Sequence, residues 1–251
     1  MTSRRRLITT GLAAAAGASG LVIAEKIAAR YGLIPPDSGG LYGAGATLTY
    51  AAQRLLMASG RSMAREFDRS QISRAFPVNG DPPQNDGYQR LLAKKFAAWQ
   101  LTVNGMVARP ARFSIDQLMR MPAATQITSQ ACEEGWSAIA EWTGVRLSDM
   151  LNRVGVLPGA RYIVFFPFDV NWDSVDMDDA WHPQTLLAWG MNGRELPAEH
   201  GAPLRLRVPR QLGYKSVKYL SRITVTDSLK SIGSGLGSIS PEIGYSWYAG
   251  I

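Results

Sequence analysis

The chain has 251 residues, 46% of them hydrophobic, and a formal charge of +7, enough apolar material for one large domain or two joined lobes. Arg4, Arg5, Arg6, Lys26 and Arg30 against Glu25 hold much of that charge, leaving about +3 elsewhere, which suits an anionic ligand and gives no nucleic-acid surface. One cysteine and two histidines exclude an internal disulfide, a three-histidine zinc site and the Cys-x-x-Cys-His of a c-type haem.

In chain order, Ser3-Arg4-Arg5-Arg6-Leu7-Ile8 precedes an apolar Ala/Gly-rich stretch ending near Ala24. A charged run before an apolar one is a targeting segment, and the Arg pair resembles a twin-arginine signal, the route for proteins exported already folded. Residues 1–30 are therefore read as signal and the expected location is the periplasm. An uncleaved membrane anchor is the alternative, since the stretch approaches a spanning length. Residues 31–75 read as a Gly/Pro-rich tether and an amphipathic helix over 46–68, with Leu48, Ala52, Leu55, Leu56, Met63 and Phe67 on its inward face.

Phe76 to Tyr88 is turn-rich and predicts an irregular loop. Trp99 to Val103 alternates as a strand, with Asn104-Gly105 as its hairpin turn. Ser114 caps a short helix with Ile115, Leu118 and Met119 inward. Leu147 to Val154 reads as a helix stopped by Gly155, Tyr162 to Phe166 as a buried strand, Pro183 to Ala188 as a short helix, and Leu204 to Val208 and Ile223 to Val225 as strands. Short strands and helices with no regular βαβ repeat predict an α+β fold.

Cys132 is the informative side chain. A lone cysteine in an exported protein is either an inert buried thiol or a reactive or metal-binding one. It lies where a β-type run, Thr128-Ser129-Gln130-Ala131, breaks into Glu133-Glu134-Gly135-Trp136, with a glycine that lets backbone approach a bulky group. Arg205 and Arg207 alternate in phase, so one strand face is basic. His182 precedes Pro183, where packing or capping is its expected role.

Three segments together resemble the sulfite oxidase superfamily of molybdopterin enzymes, in particular its small bacterial members, the periplasmic methionine-sulfoxide reductases. They are Cys132 to Trp136 with Trp142-Thr143-Gly144, then Asn192 to Pro197 leading into His200-Gly201-Ala202-Pro203-Leu204-Arg205, then Pro209 to Lys218. The resemblance implies a molybdopterin-binding fold with mixed sheets over residues 76–251, lacking the superfamily's C-terminal immunoglobulin-like domain. It implies a molybdenum–molybdopterin cofactor with Cys132 as the metal ligand and Glu134 as a nearby tuning or proton-relaying acid. Asn85, Tyr88, Gln89, His200, Arg205, Ser216, Val217 and Lys218 would contact the cofactor. Pro167 falls where the family has a contacting threonine. The 33 residues after Lys218 leave no room for the dimerisation domain, so a monomer is expected.

The implied activity is oxygen-atom transfer. Glu134-Gly135-Trp136 stands where sulfite oxidases carry arginines, which favours a neutral sulfoxide, small or on a protein, over sulfite. Sulfite oxidation is the alternative enzyme reading, and a metal-free binding protein of the same fold the alternative of another class. No haem is expected in this chain, so electrons would come from a separate cytochrome, soluble or membrane-bound.

Overall fold

A computed structural model describes residues 32–56, 62–169 and 171–251. Helix α1 (Gly43–Leu56) comes first, and α2 (Asp86–Ala93) begins where the Asn85 side chain accepts a hydrogen bond from the Tyr88 amide. Strands β1 (Gln100–Gly105) and β2 (Ala111–Ser114) form a hairpin. Ser114 then opens α3 (Ile115–Met119) through a reciprocal capping box with Gln117. Next come β3 (Ala123–Ala131), β4 (Ser137–Arg146), α4 (Leu147–Val154), β5 (Tyr162–Pro167), β6 (Asp173–Asp176) and α5 (Met177–Ala180). The remainder is β7 (Leu186–Met191), β8 (Arg194–Glu195), β9 (Arg205–Arg207), β10 (Leu220–Thr226) and α6 (Ile239–Glu242).

The strands form two sheets. One has the order β2-β1-β10-β5-β6, with β1 and β10 parallel and every other pair antiparallel. The other runs β3-β4-β7-β8, with β9 also on β7, and is antiparallel throughout. This is the α+β fold with mixed sheets. One core joins the sheets: Leu101, Val103, Phe165 and Ile223 from the first meet Val145, Leu187 and Leu206 from the second, and Leu147, Met150, Leu151 and Val154 of α4 fill the space between. Burying each such side chain contributes about 1.5–3 kcal/mol.

Several elements fall as their residues predict. α4 ends at Gly155 in the left-handed conformation, and β5, β9, β10 and α3 occupy their expected positions, although Met119 of α3 points outward. Other expectations are overturned. The helix over 46–68 stops at Leu56, and residues 62–68 are not helical. Gln184 exchanges two hydrogen bonds with the Ala64 backbone, and Glu66 forms a bridge to Thr128, so this strap is held as an extended edge partner of β3. Helical periodicity is present in its sequence, but the open edge of β3 supplies backbone partners that an isolated helix would lack. The face of α1 is reversed as well: Tyr50 and Arg54 are buried while Leu48, Leu55 and Leu56 are exposed.

The irregular loop ends at Asn85, because that side chain starts α2. Asn104 and Gly105 remain in β1, and the hairpin reverses over residues 106–110. Gly105 has φ 87° and a Cβ there would collide with the Val225 carbonyl, so this glycine serves close packing on β10. Pro183 to Ala188 is not helical. It enters β7, whose six residues are all buried between β4 on one side and β8 and β9 on the other. A short apolar run of this kind cannot be told from a buried helix by periodicity.

Candidate active site

The β3–β4 hairpin delivers Cys132 to the end of the second sheet. The Cys132 amide donates to the Trp136 carbonyl at 2.8 Å and the Gly135 amide to the Cys132 carbonyl at 3.1 Å, closing a turn. Gly135 has φ 89° with no atom near its missing Cβ, so it serves the turn and not a close approach. Cys132 is 7% exposed, and its sulfur opens onto a cavity of about 560 Å³. Asn79 Nδ2 donates to Sγ at 3.6 Å, and Sγ lies 3.3 Å from Glu133 Oε2. Burial pushes the thiol pKa up, so the sulfur is protonated unless a cation replaces the proton.

The opposite wall comes from β9 and the segment after it. His200, Arg205, Ser216, Val217 and Lys218 all line the cavity. Arg205 donates to the carbonyls of His200 at 2.9 Å and Ser216 at 3.0 Å, and Arg207 to Gln130 Oε1 at 2.5 Å and Ser216 Oγ at 3.2 Å. Both guanidiniums stack on Trp142, at 4.9 and 4.7 Å from its centroid, and the ring face offsets part of their charge. Lys218 Nζ donates to the carbonyls of Asn79 at 2.6 Å and Glu199 at 2.9 Å.

These cations lack counter-ions. Among the described residues, no carboxylate lies within ion-pair distance of Arg205, Arg207 or Lys218. Burial pushes Arg205 down to about 10, and Lys218 down to about 8 with help from the Arg205 charge. Arg207 falls well below its ordinary range for the same two reasons, and its Nε has no hydrogen-bond partner. Burial, then Arg205, keeps the His200 imidazole low and neutral at neutral pH. Lys215 deeper in the wall is different, because Asp173 pairs with it. Unpaired buried cations cost several kcal/mol, and a polyanionic ligand would offset that cost. The donor set therefore fits a phosphate-bearing pterin. Among the described residues, no cluster of three or more His, Cys, Asp or Glu side chains could hold a metal by itself.

Not every expected site residue reaches this cavity. The Asn85 side chain caps α2 and donates to the Phe168 carbonyl, Gln89 donates to the Pro83 carbonyl, and buried Tyr88 donates to the Ala202 carbonyl. They brace the wall from behind and are absent from its lining. Glu134 is exposed, bonded to Trp136 Nε1 at 2.9 Å and 3.9 Å from Sγ, whereas Glu133 faces the cavity. Pro167 lines the cavity without a hydroxyl. His182 lies elsewhere, its Nε2 against the Ser62 carbonyl and its Nδ1 accepting from the Gln184 amide. Gln130 was not singled out from the sequence, yet it joins the two arginines. Its position two before Cys132 in a strand was the available signal.

Fold and site thus describe an oxidoreductase whose pocket is built for an anionic, metal-carrying cofactor. The chain belongs to the oxidoreductase molybdopterin binding domain family, which matches residues 89–231, and so to the sulfite oxidase superfamily. It is 36% identical over 188 residues to YedZ1 of Azospira oryzae, a provisionally assigned protein-methionine-sulfoxide reductase subunit, covering 75% of this chain and 68% of that one. It is 34% identical over 151 residues to the protein-methionine-sulfoxide reductase catalytic subunit MsrP of Xanthomonas campestris, covering 54% of this chain and 47% of that one. The chain therefore spans about half the length of the Xanthomonas relative. Among solved structures, the sulfane dehydrogenase SoxCD of Paracoccus pantotrophus matches with a TM-score of 0.50 and 29% identity, over 52% of this chain and 38% of that one.

Proposed function

We propose that this chain is an exported molybdenum oxidoreductase that reduces a sulfoxide or similar neutral oxide. The observation that carries the cofactor assignment is that buried Arg205 and half-buried Lys218, neither with a carboxylate at ion-pair distance among the described residues, line one cavity with Cys132, while buried Arg207 stacks on Trp142 behind them. When bound, the molybdenum cofactor would supply two-electron oxygen-atom transfer. Cys132 would give the metal its protein sulfur. Arg205, held by two carbonyls, and Lys218 would grip the anionic tail, and Gln130 would keep both guanidiniums aimed.

Reduction of a sulfoxide consumes two electrons and two protons and releases a thioether and water. Glu133 at the cavity wall, with Glu134 behind it, is suited to hold one of those protons. The Glu133 carboxylate at the cavity wall opposes a dianion, which supports a neutral oxide over sulfite. The names of the Azospira and Xanthomonas relatives support the same choice. Electrons would arrive from a separate carrier, a membrane-bound or soluble cytochrome, and the chain would act as a monomer beside it.

Cofactor-loaded protein assayed in both directions tests this reading. Methionine sulfoxide should be reduced with an artificial donor and sulfite oxidised poorly. Cys132→Ser should abolish turnover. Efficient sulfite oxidation with no reduction of any sulfoxide or N-oxide would reject it.

A further inference from the structure

Helix α1 sits on the body with its polarity inverted. Arg54 is buried against Asp176 and Asp179, and Tyr50 donates to Asp176. Leu48 is 72% exposed and Leu56 82%, with Leu55 beside them and Leu41, 81% exposed, just ahead of the helix. A second apolar strip, with Ile243 (66% exposed), Tyr245 and Ile251, closes the C-terminal segment. The strips adjoin: Tyr42 Oη donates to the Gly244 carbonyl at 2.9 Å, and Gln53 Nε2 to the Gly250 carbonyl at 3.3 Å. Of the thirteen large apolar side chains exposed among the described residues, eight lie on these two segments. The only charge in either, Arg54, is turned inward.

A continuous apolar surface of this kind on a soluble face marks an interaction site. We propose that it lies on a lipid bilayer, with α1 flat in the interface. Two features select lipid over another protein surface. The uncharged stretch Leu7–Ala24 ends nine residues before Leu33, so a membrane-directed segment there would hold the body within about 30 Å of the bilayer. The face also carries no charge with which to specify a polar partner, whereas burial of leucines in an acyl boundary needs none. At 14 residues α1 is about 21 Å long, too short to cross the roughly 30 Å hydrocarbon layer, so it would lie on the surface. Ile243 and Tyr245 also line the cavity, so docking would turn the cavity mouth toward the membrane surface, within reach of a membrane-borne electron carrier.

The test uses the full chain with phosphatidylcholine vesicles carrying a photoactivatable acyl chain, and maps the adducts by mass spectrometry. Adducts are expected on peptides covering residues 41–56 and 243–251, at low and high salt alike. Leu48→Ser with Leu55→Ser should remove the adducts on 41–56 and lower vesicle partitioning by about tenfold or more, while turnover with a soluble donor stays at the wild-type level. Adducts confined to residues 1–31 would overturn the proposal. So would binding only to anionic vesicles that salt abolishes, or lipid-free self-association that the double substitution removes, which would assign the face to a second copy of the chain.

Discussion

Arg205 and Arg207 are costly to the fold, and the proposed cofactor would offset that cost. Each is fully enclosed, each bonds neutral acceptors, and neither meets a carboxylate. Cofactor binding should therefore stabilise the protein by more than its contacts alone suggest, because it also neutralises buried charge. Arg205→Met is expected to shrink the rise in thermal midpoint between cofactor-free and loaded protein, and pterin content after purification should fall. An unchanged rise with full pterin content would place Arg205 outside the cofactor's reach. Lys218 gives a pH signature. Its folded value near 8 lies below the ordinary 10.5, so between those values the unfolded chain binds the extra proton and stability rises with pH. Cofactor-free protein should gain resistance to urea across that window, with the penalty fully present below about pH 8. Lys218→Met should flatten the gain, and an anion in the cavity should suppress it.

At the level of elements, α1 depends on one buried cation. Arg54 joins α1 to Asp176 and Asp179 at the start of α5, while stacking on Tyr248 at 4.5 Å. Burial and the neighbouring Asp179 charge raise Asp176 to about 6 even with Arg54 opposing them. Arg54→Met keeps the side-chain volume but strands two carboxylates, and should cost about 3–5 kcal/mol at neutral pH. Without Arg54 to oppose it, Asp176 takes up its proton above about 6, so the deficit should narrow as pH falls toward that value. Urea unfolding of wild type and variant on either side of that pH checks both the size and the sign. The strap over residues 62–68 teaches the same lesson in backbone terms. Its side chains repeat at helical spacing, but Gln184 and the edge of β3 offer it hydrogen bonds in an extended form.

For the whole molecule, the proposed function joins a folded-export signal to a cofactor that would be inserted before export. Arg4→Lys with Arg5→Lys preserves charge but removes the pair that the twin-arginine receptor reads. Precursor carrying both substitutions should accumulate in the cytoplasm, measured by fractionation and immunoblot. Normal export would assign the protein to the general secretory route and weaken the link between export and cofactor loading.

What the sequence discloses is local or carried by residue identity: the capped α3, α4 with its glycine stop, the buried strand β5, the strand β10, and a lone cysteine ahead of an Arg/Lys-bearing segment. These follow from capping, turn chemistry and side-chain type, which act within a few residues. The chain could not disclose which way α1 faces, because its apolar repeat points one way and its single arginine finds two carboxylates more than a hundred residues distant. Nor could it disclose that Glu133 and not Glu134 faces the cavity, since a turn sets their directions. It also could not tell that Arg205 and Arg207 are buried without counter-ions, or that residues 186–191 form a central strand. Burial and pairing between distant segments are properties of the packed molecule, and only packing decides whether a charge meets water, a carboxylate or the wall of a cavity.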